Sequence, residues 1–154
     1  MNGFVERGGV WVAVQFVWFA AIVVIGRLDL AVFEFTGQAG LGWALMLAAL
    51  ALGVAAAMSL GRNLTPYPKP VDSGTMVARG PYRLVRHPIY TAVIIGMIGI
   101  AVRGGDWISL GLAIGLIPFF NAKSTFEERH LIEQYPGYVD YQARVRSRLV
   151  PGIL

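Results

Sequence analysis

All the charged side chains of this chain fall in short segments that separate four long uncharged runs. Residues 10–26 form a run of 17 in which Gln15 is the one amide, and residues 36–61 form a run of 26 with its apolar core at 41–60. Two shorter runs follow, 15 residues at 88–102 and 16 at 107–122. Runs of this kind predict membrane helices, because lipid offers no partner for a backbone polar group and each segment must satisfy its own. The last two would be roughly 23 Å long at about 1.5 Å per residue, short of a hydrocarbon core of about 30 Å. Flanking polar residues or a locally thinned bilayer would have to supply the difference. Arg103-Gly104-Gly105-Asp106 alone separates them, so they read as a tight helical hairpin. The pattern predicts an all-α, polytopic integral membrane bundle of about four transmembrane helices, near 10–26, 39–60, 88–103 and 107–122, in a single domain over 1–154.

Composition strengthens this picture. The chain has 154 residues, 56% hydrophobic and only 14% charged, with a mean hydropathy of +0.59. A soluble domain carries about 25% charged residues, so disorder, a coiled coil and an ordinary water-facing fold are excluded. With no cysteine there is no disulfide framework, thiolate nucleophile or cysteine-ligated metal.

The net charge of +4 follows from topology rather than from a nucleic-acid partner, and none is expected. The N-terminal segment, residues 62–87 and residues 123–154 carry 1, 5 and 5 basic residues, whereas the two intervening loops carry only Arg27 and Arg103. This is a strong positive-inside bias, which places both termini and the long loop in the cytoplasm. The first run has one arginine before it and no small-x-small cleavage site ahead of Arg27-Leu28-Asp29, so it reads as a retained anchor rather than a signal peptide. Gly96/Gly99 and Gly111/Gly115 put small residues on one helix face, as close helix packing in lipid requires.

Chemistry belongs to the two polar segments on the cytoplasmic side. The first opens with Thr65-Pro66-Tyr67-Pro68-Lys69-Pro70, whose alternate prolines enforce an extended strip, either a spacer or a wall over a site. Gly80-Pro81-Tyr82-Arg83-Leu84-Val85-Arg86-His87-Pro88-Ile89-Tyr90 follows. Pro88 suits the first position of the third membrane helix, so His87 sits at that helix N-terminus beside Arg83 and Arg86, where free N–H groups favour an anion. The alternative is that these residues contact lipid headgroups and anchor the interface. The second segment continues the fourth span into a polar helix, residues 124–134, bearing Glu127-Glu128-Arg129-His130. Consecutive helical residues do not face each other, so one glutamate is expected to face the bundle and the other water. Pro136-Gly137 ends that helix, and Tyr138, Tyr141, Arg144, Arg146 and Arg148 lead to Pro151. The arginines suit anionic lipid. His87, His130 and the glutamates are nominal metal ligands, but nothing fixes their geometry and no metal is expected.

These motifs in this order closely resemble the isoprenylcysteine carboxyl methyltransferase family, within a wider superfamily that includes phospholipid methyltransferases. The resemblance rests on Gly-Pro-Tyr-x-x-Val-Arg-His-Pro-x-Tyr, then a membrane hairpin, then Glu-Glu-x-x-Leu (Glu127 to Leu131), paired tyrosines and a terminal Arg-x-x-Pro, and spans residues 61–151. The family's Phe-Gly-x-x-Tyr-x-x-Tyr stands here one residue shorter, as Tyr135-Pro136-Gly137-Tyr138-Val139-Asp140-Tyr141. The resemblance implies a membrane methyltransferase that uses S-adenosylmethionine, yields S-adenosylhomocysteine, and acts on a lipid-like or prenylated acceptor at the cytoplasmic membrane edge. Carried over by position, His87, Pro88, Tyr90, Glu127, Glu128, His130 and Tyr138 would surround the cofactor, and Arg86, Glu128 and Arg144 would serve the reaction, with the two arginines positioning the acceptor. Two other readings are weighed beside it: an NADPH-dependent membrane reductase of sterol-reductase type, which has related C-terminal motifs, and a non-catalytic membrane scaffold.

Overall fold

The computed structural model describes residues 3–28, 36, 38–71 and 73–152. The expected loop residue Asp29 lies outside them. Among the described residues the chain is all-helical, with no strand. A short turn, α1 (Gly3–Glu6), precedes α2 (Gly9–Ile25), α3 (Ala39–Leu60), α4 (Pro88–Gly104), α5 (Trp107–Gln134) and the short α6 (Tyr138–Arg144). Two helices are long and apolar enough to cross a membrane, Ala39–Asn63 and Trp107–Gln134; α2 and α4 are apolar helices of 17 residues. α3 is apolar on every face, yet only 11% of its most apolar window is buried within the protein. Val17 on α2 and Met58 on α3 are 71% and 75% exposed. A soluble core helix would bury such side chains, whereas a lipid solvent accepts them.

Local chemistry sets the helix ends. Pro88 opens α4 with His87 as its N-cap residue, consistent with a proline at a position whose N–H has no helical partner. Gly105 ends α4 in the left-handed conformation at φ 76°, which a residue without Cβ adopts freely. Asp106 then caps α5, its carboxylate accepting from the Ser109 N–H at 2.5 Å. The hairpin turn is therefore two residues, shorter than the four-residue break in apolarity, because Arg103 and Gly104 stay helical.

The most extensive helix contact joins α3 to α4 rather than α4 to its hairpin partner α5. Small residues make the approach possible: a Cβ on Gly42 would stand 2.7 Å from the Gly99 carbonyl oxygen, and one on Gly99 would stand 2.9 Å from the Gly42 carbonyl oxygen. Gly96 faces Ala49 and Gly53 faces Ala92 further along. The pair Gly96/Gly99 thus packs as expected, but Gly111 has open space around it, and Gly115 meets Trp18 of α2. The Trp18 indole N–H donates to the Leu112 carbonyl at 3.0 Å, fixing α2 on α5. Ile22, Ile94, Leu116, Phe120 and Leu149 close the core between these helices.

Alanine at Gly42 or Gly99 is expected to cost roughly 1–3 kcal/mol, because the obstructing atoms are backbone. Thermal unfolding in detergent should show a lower midpoint for each, and an unchanged one for Gly111→Ala. Wild-type melting of Gly42→Ala would refute the close crossing.

Candidate active site

The strip Thr65 to Pro70 is a wall, not a free spacer. Pro68 is fully buried against Gly8, Lys69 N–H reaches the Arg7 carbonyl at 3.4 Å, and Gln134 Nε2 donates to the Val71 carbonyl at 2.7 Å. Asn63 and Thr75 close the strip on itself through two side-chain to backbone bonds. Between this strip, the start of α4 and the polar end of α5 lies a cavity of about 440 Å³, within the range of about 300–1,000 Å³ usual for small-molecule sites. Six tyrosines line it: Tyr67, Tyr82, Tyr90, Tyr135, Tyr138 and Tyr141.

Beside the cavity a buried carboxylate organises the chain. Glu128 is 3% exposed. Its Oε1 accepts from Arg86 Nε at 2.7 Å and lies 3.1 Å from His87 Nε2. Its Oε2 accepts from Gln142 Nε2 at 3.1 Å and Arg148 Nη2 at 2.9 Å. Arg86 also donates through Nη1 to the Val145 and Arg146 carbonyls, both at 2.7 Å. The tail is held against the entrance to α4 by bonds from the Arg86 and His87 N–H groups to the Ser147 and Arg148 carbonyls, each 3.0 Å. Burial by itself would raise the Glu128 pKa; the hydrogen bonds and charge of His87 and Arg86 overcome it and hold the carboxyl at about 2, against an ordinary 4.5.

Glu127 faces the cavity. Its Oε2 accepts from the Tyr90 hydroxyl and lies 3.8 Å from His87 Nδ1. Among the described residues its Oε1 carries no bond. Glu128 is thus packed inside the bundle, while Glu127, its side chain 23% exposed, opens onto the cavity rather than onto a free surface. The site wraps around the end of α5, so α4 meets one carboxylate while α4, α6 and the tail together saturate the other. The Tyr90 ring stacks between His87, at 5.3 Å, and Phe120, at 4.6 Å. Tyr138 is 4% exposed, and among the described residues its hydroxyl has no partner. Burial, with Glu128 and Glu127 nearby, pushes that phenol well above its ordinary 10, so it remains a proton donor. Burial likewise pushes Tyr141 up to about 12, and its hydroxyl donates to the Tyr82 carbonyl at 2.7 Å.

Of the residues expected at the site, Arg86, His87, Tyr90, Glu127 and Tyr138 line the cavity, with Glu128 directly behind them. Pro88 does not line the cavity; it is buried as the first residue of α4. Two further expected residues are not brought to the cavity. His130 turns away, its Nδ1 lying 3.0 Å from the Phe126 carbonyl and its ring against Phe126, so His87, His130 and the glutamates do not assemble as a metal set. Arg144 is exposed near the end of α6; the tail turns back after it, and Arg148 takes the place beside Glu128, also bonding Asn121 and Thr125. The terminal Arg-x-x-Pro spacing was the signal for Arg148. Lys123 and Gln15, which line the cavity together, were signalled by Gln15 being the one amide in an apolar run.

The stabilisation from Glu128 is expected to be complete above about pH 4.5 and to fade as pH falls towards 2, since its folded pKa is depressed. Melting midpoints across that window should drop for wild type and be flatter for Glu128→Gln, which is less stable at pH 7 because two guanidiniums lose their anion. Parallel pH profiles would contradict this.

A family profile described as Phospholipid methyltransferase matches residues 38–137. The chain is 30% identical over 73 residues to the cobalt-zinc-cadmium resistance protein CzcN of Cupriavidus metallidurans, covering 47% of this chain and 34% of that protein. It is 35% identical over 75 residues to protein-S-isoprenylcysteine O-methyltransferase B of Arabidopsis thaliana, covering 47% of this chain and 38% of that protein. The chain thus spans little more than a third of the length of these relatives. The profile runs from the start of α3, through the Arg86-His87-Pro88 entrance to α4 and the Glu127-Glu128 pair, to the turn before Tyr138, and on that match the chain belongs to the phospholipid methyltransferase family.

Proposed function

We propose that this chain is an integral-membrane methyltransferase that takes its methyl group from S-adenosylmethionine and transfers it to a lipid-like or prenylated acceptor. In this reading 1–154 is one domain whose helices α2, α3, α4 and α5 all cross the bilayer, with the cavity and both termini on the cytoplasmic side. Family membership and the positive-inside bias support it. The observation that carries it is the cavity itself: a tyrosine-lined space with an unpartnered buried hydroxyl, Tyr138, and a carboxylate with one free oxygen, Glu127.

These groups fit the donor. S-adenosylmethionine supplies, when bound, a methyl group activated on a sulfonium. Glu127 and Tyr90 would take its ammonium or ribose hydroxyls, the Tyr138 hydroxyl would donate to one of its acceptors, and the tyrosine faces suit a cationic centre. Arg86 already spends Nε and Nη1 on Glu128 and the tail, leaving Nη2 for a ligand carboxylate. Glu128 is a positioning residue, since its four bonds leave it nothing to offer a ligand. The proline strip excludes water, and alignment of the reactants does the rest. Leu60, Leu64, Ile89 and Val93 give the cavity an apolar side suited to an acceptor's chain. Arg144 takes no part. The relative named as an isoprenylcysteine O-methyltransferase supports a prenylated acceptor as the first to try.

Calorimetric titration of S-adenosylhomocysteine into the detergent-purified protein tests this. Wild type is expected to bind, and Glu127→Gln to bind at least tenfold more weakly with unchanged melting. Absence of binding by well-folded wild type would overturn the reading, as would tight NADPH binding in its place.

Tyr138→Phe separates a ligand contact from a structural one. Its free-protein midpoint should be unchanged or higher, because an unsatisfied buried hydroxyl is removed. Its affinity for S-adenosylhomocysteine should fall roughly threefold to tenfold, as for loss of a hydrogen bond worth about 0.5–1.5 kcal/mol. A lower midpoint with unchanged affinity would assign the hydroxyl to the fold.

A further inference from the structure

Lys123 is an anomaly in this charge arrangement. It follows the last apolar run directly, is 1% exposed and lines the cavity. Its Nζ donates to Gln15 Oε1 at 2.7 Å and lies 5.0 Å from the Tyr90 ring centroid and 5.8 Å from that of Phe120. Among the described residues no carboxylate lies within ion-pair distance of it. Glu127, one turn further along α5, is engaged by the Tyr90 hydroxyl. Arg86 and Arg148, the cations nearest in the site, both serve Glu128. An amide oxygen and two ring faces satisfy one of the three ammonium donors. An ammonium removed from water at this level costs several kcal/mol unless an anion compensates it. If its purpose were only to tie α2 to α5, an apolar side chain would do so without that cost.

We propose that Lys123 and Gln15 form a seat for the anionic group, a carboxylate or phosphate, of the amphiphilic acceptor, and so select acceptors by negative charge. The inference deepens the methyltransferase reading and rests on it for the identity of the occupant as acceptor. The charge count favours an acceptor over the donor. S-adenosylmethionine carries one net positive charge, which Glu127 balances, and Arg86 and Arg148 already outnumber their one carboxylate, Glu128, so Lys123 remains uncompensated until a second, anionic ligand arrives. Position agrees. Gln15 stands six residues, roughly 9 Å, into the apolar helix α2, and Phe120 and Val93 flank the seat. That is the depth of a lipid headgroup's inner edge. Gln15 adds an amide N–H₂ that can bond the same oxyanion once its carbonyl holds the lysine.

The test is binding of single-chain amphiphiles to the full chain in neutral detergent: dodecanoate and dodecyl phosphate against dodecanol and dodecylamine, each with and without S-adenosylhomocysteine. Wild type is expected to bind the two anions at least tenfold more tightly than the alcohol and the amine. Lys123→Met should abolish the preference, Lys123→Arg should retain most of it, and Gln15→Leu should reduce it. The wild-type preference needs no variant, so a misfolded mutant cannot decide the matter. Equal binding of anions and alcohol by wild type that still binds S-adenosylhomocysteine would overturn the seat and leave the methyltransferase reading intact. Titration of decarboxylated S-adenosylhomocysteine, which keeps the ammonium and lacks only the amino-acid carboxylate, distinguishes the sources of the anion. If losing that carboxylate weakens wild type but not Lys123→Met, the lysine serves the donor and the proposal fails. Unchanged S-adenosylhomocysteine affinity in Lys123→Met, with loss of anion preference, supports it.

Discussion

The arrangement of the site depends on one buried anion. Glu128 carries two accepted or adjacent donors on each oxygen, from Arg86, His87, Gln142 and Arg148. These come from the entrance to α4, from α6 and from the tail, so a single carboxylate gathers segments far apart in sequence. A charge so deeply removed from water is tolerable only with every lone pair occupied. That requirement is directional, and it fixes the path of the tail. Arg86 can reach Glu128 while still bonding the carbonyls of Val145 and Arg146 only if the chain after α6 folds back across the start of α4. Leu149 then falls into the core, fully buried, and Thr91 Oγ1 fastens its carbonyl at 2.6 Å.

Because Glu128 is saturated, its neighbour is the carboxylate left with capacity. Rotation along the helix turns Glu127 towards Tyr90 and the cavity. Adjacent acidic residues thus divide into a structural anion and a cavity-facing one, and the division is set by what surrounds the helix. The rule that consecutive residues point in different directions holds for α5, but what the outward-turned Glu127 meets is a cavity rather than a free surface, because the end of α5 is enclosed from several sides.

That difference marks what the sequence discloses. Charge-free runs locate the apolar helices, the Pro88 ring marks the start of α4, and the conjunction of Arg86-His87-Pro88-x-Tyr90 with Glu127-Glu128 identifies the site, because each signal is local. The identity of the arginine that meets Glu128 is not local. Arg144, Arg146 and Arg148 differ only in how the chain turns after α6, and backbone carbonyls taken by Arg86 decide that turn. His130 fails for a similar reason: its spacing from Glu127 is compatible with the site, but Phe126 and the helix carbonyl four residues back hold it elsewhere. The alternate prolines predict an extended strip without saying what it covers; Gly8 and Gln134, remote in sequence, settle that it is a wall.

Helix packing places the site at a particular depth. α3 and α4 approach until the carbonyls of Gly42 and Gly99 nearly touch the opposing helix, and such contact leaves little freedom to slide. The start of α4 is thereby held level with the end of α3 and with the point where α5 loses its apolar character. Phe120 belongs to the core and Lys123 and Glu127 to the cavity, so about two turns of α5 pass from an apolar environment to a charged one. A donor that is cationic and water-soluble and an acceptor with an apolar chain need environments of opposite character within reach of each other. A helix that changes character over about two turns, packed against a helix that a backbone-to-backbone crossing holds in place and carrying a saturated carboxylate at its polar end, would supply both to the donor and acceptor proposed for this cavity.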